Sequence, residues 1–509
     1  MRQVLQNLQT GETELTEVPA PAFSKGKVLI HSKTSLISTG TERMLVDFGK
    51  ASLFTKARKQ PEKVRQVFDK IKTDGLFTTV DAVRSKLGQP IPLGYCNVGV
   101  VSKSGVAHFK EGQRVVSNGP HAEVVNVVGN LCAKIPDEVS DEEAAFTVVA
   151  SIGLQGVRLA QPTIGETFVV IGVGLIGLLT IQLLRAQGCK VLAIDLNENK
   201  LKLAQSFGAV TCNPSSGEDP VETGLSLSGS AGVDGVIITA STSSSEPVSQ
   251  AARMCRKRGR IVLVGVTGLE LNRSEFYEKE LSFQVSCSYG PGRYDENYEE
   301  KGQDYPLGYV RWTEKRNFEA ILDLFAAGCL EVRPLINHRI PFDGASRAYG
   351  LLSEEKDTLG IILEYENSSA SIEEQTLSLK GRHQKISSSK TFDNAVVGFI
   401  GAGNYASRML IPAFKKAGAR LHTISSTGGT NAAIHGRKNG FEYATSDTEK
   451  LLADSEINAV AIVTRHNSHA RLALQAFQAN KHVFVEKPLS ISQLQLDKIK
   501  SFAKKTLLT

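Results

Sequence analysis

Up to about residue 133 the chain reads as short apolar runs broken by turn residues: KVLIHS at 27–32, GVVSKSG at 99–105 and EVVNVV at 123–128. Such runs predict strands, and their number and spacing predict an all-β, barrel-like unit over 1–145. One stretch breaks the pattern. Between Lys50 and Lys86, Val64, Val67, Phe68 and Ile71 recur at helical spacing among charges, which predicts a helical insertion at about 50–86.

From Ala144 the period changes. FVVI, KVLAI, GVIITA (235–240) and RIVLVG (260–265) alternate with helical patterns at 175–187 and up to Phe207, which predicts a parallel sheet covered on both faces over 146–294. Residues 366–393 are rich in Ser, Gln and Lys and poor in large apolar residues, the composition of a linker. Beyond it the alternation restarts over 394–509 with AVVGFI, a helix at 405–416, RLHTIS, NAVAIVTR, a helix at 469–479 and HVFVEKP. The fold class expected is α/β, a β-barrel unit followed by two doubly wound Rossmann domains in tandem.

Composition leaves this picture intact and removes others. With 509 residues, 41% apolar and 22% charged, the chain is neither disordered nor a single small core. No run approaches the roughly 18 apolar residues of a membrane span, and the start lacks a signal-peptide core, so a cytoplasmic protein without membrane insertion is expected. The seven cysteines are scattered and never form CxxC, which points to buried free thiols. The net charge of +6 is concentrated between Gly49 and Gln89, where ten basic residues face four acidic ones. That stretch is either an attractor for anionic substrates or a solvated helical face. Aromatics make up only 6% and no nucleic-acid module is present.

Two glycine turns carry the chemistry. Gly172, Gly174 and Gly177 follow the strand FVVI and open a helix that begins with Leu175 and Ile176, and Asp195 ends the next strand. The first glycine permits the tight turn, the second lets the backbone approach a pyrophosphate, and the third allows close helix packing. The helix N-terminus attracts the phosphate. A carboxylate at Asp195 holds ribose hydroxyls and repels a 2′-phosphate, which favours NAD at this turn. Gly401, Gly403, Asn404, Tyr405 and Ala406 form a second such turn. Its next strand ends in Ser425 and Ser426 without a carboxylate, so either NAD or NADP is accommodated there.

Residues 1 to about 365 resemble the medium-chain dehydrogenase/reductase family, also called the zinc-type alcohol dehydrogenases. Thr39-Gly40-Thr41-Glu42 looks like that family's Cys-Gly-Thr-Asp, and the stretch from Gly94 through Tyr95 and Gly99 to Val101 looks like its Gly-His-Glu-x-x-Gly-x-Val. The resemblance implies a GroES-like catalytic unit completed by the chain's return at about 295–365. Where zinc-using members place the metal's cysteine and histidine, this chain has Thr39 and Tyr95, and no cysteine lies between Cys132 and Cys189. No zinc is therefore expected. Carbonyl polarisation then falls to Thr39, Thr41 and Tyr95, with Tyr95 as proton donor if its pKa is lowered. Alternatively, Tyr95 is a packed aromatic.

A block from Ser288 to Arg316 contains Arg293, Tyr294, Arg311 and Trp312. It suits a sugar or anionic group, since rings stack on sugar faces and guanidinium forks bind carboxylate or phosphate. It equally suits a loop packed between domains. This block resembles one found in bi-domain bacterial oxidoreductases that join a zinc-less medium-chain unit to a Gfo/Idh/MocA unit.

From Asn394 the chain is similar to the nucleotide-binding half of the Gfo/Idh/MocA family, on the turn from Thr464 to His469 and on Glu486-Lys487-Pro488. In that family the lysine orients and polarises substrate near the nicotinamide, so the resemblance makes Lys487 catalytic and places Glu486 at the cofactor. The substrate domain of that family is missing after Pro488, which implies a truncated partner. The expectation is an NAD(P)-dependent oxidoreductase acting on the alcohol or carbonyl of a sugar, sugar-derived or nucleotide-sugar substrate, compatible with a homo-oligomer. The alternatives are a fragment of a longer Gfo/Idh/MocA enzyme and a catalytically silent dinucleotide-binding module.

Overall fold

The computed structural model of the chain describes residues 1–50, 90–355, 357–366, 370–380 and 395–506. The helical insertion expected at 50–86 and the basic stretch around it fall on 51–89, outside the described residues, and a helix at Thr39–Lys50 leads up to them.

The N-terminal part forms β1 (Arg2–Gln6), β2 (Thr13–Glu17), β3 (Lys27–Ser38), β4 (Ile91–Pro92), β5 (Asn97–Ser104), β6 (Arg114–Ser117), β7 (Val124–Val128) and β8 (Cys132–Lys134). β2, β1 and β4 make a small antiparallel sheet. The long β3 is the spine of a larger one, pairing antiparallel with β5 and β7. The first parallel sheet follows: β9 (Thr167–Ile171), β10 (Lys190–Ile194), β11 (Val210–Cys212), β12 (Val233–Ile238), β13 (Cys255–Leu263) and β14 (Ser282–Val285). All five residues of β9 are buried, as a central strand covered on both faces requires. Its order, β11-β10-β9-β12-β13-β14, reverses direction between β9 and β12, and ligands of such sheets lie in the crevice at the carboxyl ends there.

The chain then returns to the β unit through β15 (Ile336–Pro341) and β16 (Gly360–Glu364), with Ile361 of β16 opposite Ile37 of β3. Leu36, Cys96 and Phe146 share one continuous apolar core with Phe168, Leu178 and Phe318, so the β unit and the first parallel sheet are fused across their interface.

Within the stretch expected as a linker, Thr376–Ser378 forms β17. It leads into β18 (Val396–Ile400), β19 (Arg420–Ser425), β20 (Tyr443–Thr445), β21 (Ala459–Ile462) and β22 (His482–Val485). The order is β17-β20-β19-β18-β21-β22, with β17 antiparallel on β20 and the remainder parallel. This second sheet is not free of the first unit. Val18 packs into its core beside Val397 and Phe399, Ala22 donates its amide to the Thr427 carbonyl at 2.9 Å, and Ser446 Oγ donates to the Ala20 carbonyl at 2.5 Å. Gly429, at φ +76°, lies so close that an added Cβ would stand 2.3 Å from the Pro19 carbonyl oxygen.

Five cysteines are buried free thiols, whereas Cys287 and Cys329 are exposed, against the expectation for those two. Among the described residues no helix is long and apolar enough to cross a membrane.

Candidate functional site

The turn at 172–177 sits at the carboxyl end of β9, beside the reversal of strand order. Gly172 adopts φ +93°, where an added Cβ would lie 2.5 Å from the Ala240 amide nitrogen. At Gly177 the Cβ would lie 2.1 Å from the Gly172 carbonyl oxygen, so the helix can seat only with glycine there. Gly174 differs: it is extended, at φ −77°, and a Cβ would meet nothing within 4 Å. It is the N-cap of the helix Leu175–Ala186, and no side chain caps that end. The amides of Leu175 and Ile176 thus open towards the space in front of Gly174, with the positive end of the helix dipole behind them.

Asp195 stands against this turn. One carboxylate oxygen accepts the Val173 amide at 2.6 Å and the other accepts the Asn197 amide at 2.9 Å. The acid is fixed to the glycine turn through the backbone, with lone pairs left for ribose hydroxyls.

The second turn repeats the arrangement in part. Gly401 has φ +112° and a Cβ there would lie 2.6 Å from the Val463 carbonyl oxygen, while a Cβ on Gly403 would meet nothing within 4 Å. Its helix is not regular: a π-helical turn, Ala406–Leu410, precedes the α-helix Ile411–Lys416. Pro412 has no amide hydrogen for the carbonyl four residues back, which accounts for the widening. Tyr405 is exposed and Ala406 buried.

Known proteins give the frame for this geometry. The family model for zinc-binding dehydrogenases matches residues 176–301, and that for the Gfo/Idh/MocA oxidoreductase family, with an NAD-binding Rossmann fold, matches 395–508. D-guloside 3-dehydrogenase of Escherichia coli (strain K12) is 28% identical over 269 residues, covering 50% of this chain and 72% of the relative. D-xylulose reductase of Saccharomyces cerevisiae is 31% identical over 222 residues, covering 42% of this chain and 55% of the relative. Alcohol dehydrogenase TADH from Thermus sp. ATN1 superposes with a TM-score of 0.55 at 22% identity, covering 72% of this chain and 100% of that structure. The chain is a zinc-type alcohol dehydrogenase-like unit followed by a Gfo/Idh/MocA Rossmann unit. It is homologous to NAD-dependent dehydrogenases that act on CH–OH groups.

In the dehydrogenase-like unit, Thr39 opens a helix and is buried, and its hydroxyl donates to the Leu359 carbonyl at 3.0 Å. In this arrangement the Thr39 proton, which the sequence offers for polarising a carbonyl, is taken up by the backbone. Tyr95 carries a buried hydroxyl that meets no hydrogen-bond partner at bonding geometry among the described residues. Burial pushes its pKa up, and nearby Cys96 and Glu42 add to the effect, with the Ser38 and Thr41 side chains only tempering it. This is the reverse of the lowering that a proton donor of ordinary tyrosine chemistry would need. Thr41 is half-buried.

Beneath Tyr95 lies a polar network that joins parts of the chain standing far apart, with no motif linking them. Glu42 is fully buried and accepts from the Ser38 amide at 3.1 Å and from the Tyr349 hydroxyl. His121 lies 3.3 Å from the same carboxylate, and its other nitrogen meets Ser35 Oγ at 2.7 Å. Gly94 leaves room for that ring, since a Cβ there would stand 2.5 Å from it. Among the described residues, no group of three or more His, Cys, Asp or Glu side chains is placed to hold a metal ion.

The block at 288–316 packs between elements and splits its expected residues. Arg293 pairs with Glu299 and lies 4.4 Å from the ring centroid of Tyr294, which is exposed. Arg311 and Trp312 lie elsewhere, against Arg158 of the helix Thr147–Ala160. Inside the block, Glu314 is fully buried and neither carboxylate oxygen has a partner among the described residues. Burial, with the neighbouring Glu299, pushes its pKa up to about 8.

In the Gfo/Idh/MocA unit, Lys487 is exposed and Glu486 half-buried. His469, fully buried, joins the two motifs: Nδ1 is 2.8 Å from the Pro488 carbonyl oxygen and Nε2 is 3.0 Å from that of Thr464. It holds the Glu-Lys-Pro turn against the 464 turn.

Proposed function

We propose that the chain is a zinc-independent, NAD(P)-dependent oxidoreductase that moves a hydride to or from the alcohol or carbonyl carbon of a sugar or sugar-derived substrate. The reaction lies in the cleft between the β unit and the first parallel sheet. One observation carries this reading: an open, uncapped helix N-terminus at Gly174, with Asp195 fixed to the same turn. A pyrophosphate fits the first and a ribose the second, which favours NAD at this site. The nicotinamide, when bound, supplies the two-electron acceptor or donor.

The donor set argues against zinc. Thr39 and Tyr95 offer neutral hydroxyls, which are poor zinc ligands, and the oxygens of Glu42 already accept bonds from Ser38, Tyr349 and His121. No step is therefore routed through a metal. Tyr95 keeps its proton at all working pH values and acts as a neutral hydrogen-bond donor to the substrate oxygen as charge develops there. Sugar chemistry is supported by relatives named for a guloside and for xylulose. Arg293 and Tyr294 are the candidate contacts for a polar substrate.

The second turn binds NAD or NADP without a carboxylate to discriminate. Lys487 is exposed, and turnover is assigned to the first site, where the acid and the uncapped helix end share one turn.

The test uses the full chain. Gly174→Val and Gly403→Val each put a side chain into a pyrophosphate path where a Cβ meets no protein atom, so neither disturbs folding. NADH and NADPH titrations should show two sites, one lost in each variant, and turnover on a panel of sugars, sugar alcohols and nucleotide sugars should vanish only with Gly174→Val. Turnover that survives Gly174→Val and fails with Gly403→Val would move the reaction to the second unit. Binding without turnover on any substrate would leave a silent module.

A further inference from the structure

Two arginines lie against the ring of Trp312. The Arg158 guanidinium lies 3.2 Å from the indole centroid and that of Arg311 lies 3.8 Å from it, so the two cations stand no more than about 7 Å apart. Arg158 is half-buried at the end of the helix Thr147–Ala160, and its Nε donates to Asn317 Oδ1 at 2.8 Å. Asn317 is itself fixed by its bond to the Tyr289 carbonyl at 2.8 Å.

Neither arginine forms a salt bridge among the described residues. The neighbouring arginines show what is unusual here: Arg293 has Glu299, Arg316 has Asp304 and Arg260 has Glu166. Around Arg158 the influences are burial and the like charge of Arg311, which together bring it down to about 10. No acid offsets them. A desolvated guanidinium facing a second cation, with one of its five donors occupied, is a geometry that an external anion completes.

We propose that Arg158, Trp312 and Arg311 form a binding site for the phosphate group of a phosphomonoester. The charge selects the ligand: a phosphomonoester carries about −1.5 to −2 near neutral pH and balances two guanidiniums, whereas a carboxylate balances one. Guanidinium forks match phosphate oxygens in pairs, and the indole keeps both forks in place. Arg158 lies in the last turn of its helix, and a ligand there clasps the block at 288–316 to that helix.

Trp312 is the only tryptophan of the chain, so its emission reports on this site alone. Inorganic phosphate, glucose 6-phosphate and acetate are titrated into the full chain at constant ionic strength set with chloride, with calorimetry in parallel. The expected result is a saturable change with both phosphates and none with acetate or chloride. Arg158→Gln and Arg311→Gln should each weaken it at least tenfold by calorimetry. Arg158→Lys, which keeps the charge and loses the fork, should weaken it at least fivefold and covers the case in which Arg158→Gln fails to fold. No saturable change, an equal response to acetate or chloride, or undiminished binding in the folded variants would each overturn the proposal. The titration contains no dinucleotide, so its outcome is independent of the oxidoreductase reading.

Discussion

The Val173 amide donates to a carboxylate oxygen of Asp195 at 2.6 Å, which ties the acid proposed to read the ribose to the turn proposed to hold the pyrophosphate. On that proposal, both parts of the dinucleotide are recognised by one covalently short, hydrogen-bonded unit. In a Gly403→Val background, Asp195→Ala should weaken NADH at the first site by at least tenfold. Asp195→Asn, which keeps the amide contacts and drops the charge, should narrow the preference for NADH over NADPH. Both are read by fluorescence titration. A preference unchanged in Asp195→Asn would show that the carboxylate does not discriminate.

Gly177 should behave oppositely to Gly174. Its Cβ would press on the Gly172 carbonyl at 2.1 Å, so Gly177→Ala should cost about 1–3 kcal/mol of stability, visible as a lower Tm. Gly174→Val should leave Tm unchanged and abolish binding at the first site. Equal melting temperatures would contradict the packing role of Gly177.

Removing the Tyr95 hydroxyl separates its two readings. Among the described residues the buried group has no partner, so Tyr95→Phe relieves an unsatisfied polar atom and should not lower Tm. If the hydroxyl donates to the substrate oxygen, kcat should fall by about a hundredfold with KM little changed. A variant with full kcat reduces Tyr95 to a packed aromatic.

Glu314 predicts a loss of stability on the alkaline side. Its folded pKa is raised from the usual carboxylate value to about 8, so between roughly pH 4.5 and 8 the folded state binds the proton that the unfolded state has released. Stability therefore declines as pH rises through that window. Glu314→Gln should flatten the decline, so its Tm gain over the parent should be larger at pH 8.5 than at pH 5, by differential scanning calorimetry.

Glu373 predicts the converse in acid. Partial burial raises its pKa, but the bonds from Ser102, Lys103 and His31 outweigh this and hold it at about 2. A depressed carboxylate adds stability above its unfolded pKa that disappears as pH falls from about 4.5 to 2. Those three partners belong to the β unit, while Glu373 opens the path into the second sheet. Glu373→Gln should lower Tm at pH 7 and lose that deficit by pH 2.5. A deficit that persists unchanged into acid would rule out the charge as its source.

The glycine turns were legible because the backbone itself demands the residue: Gly172 and Gly401 need positive φ, and Gly177 has no room for a Cβ. Four strands of each parallel sheet were legible as continuous apolar runs between helical patterns, whereas the short β11, β14 and β20 were not. What escaped was built by distance. β17 has only Thr376, Leu377 and Ser378 to announce it, and an edge strand with one large apolar residue looks like a linker. The π-helical turn before Pro412 follows from one missing amide inside an otherwise helical pattern. Nothing near Glu42 in the chain points to His121 or Tyr349, and nothing near Trp312 points to Arg158, because those partners arrive from separate elements.

Val18, set into the interior of the second sheet from a position near the chain's beginning, means that the last quarter of the molecule cannot close its own core until the first strands have been made and folded back. Cutting the chain between the halves would leave one piece with a hole and the other with a naked peg.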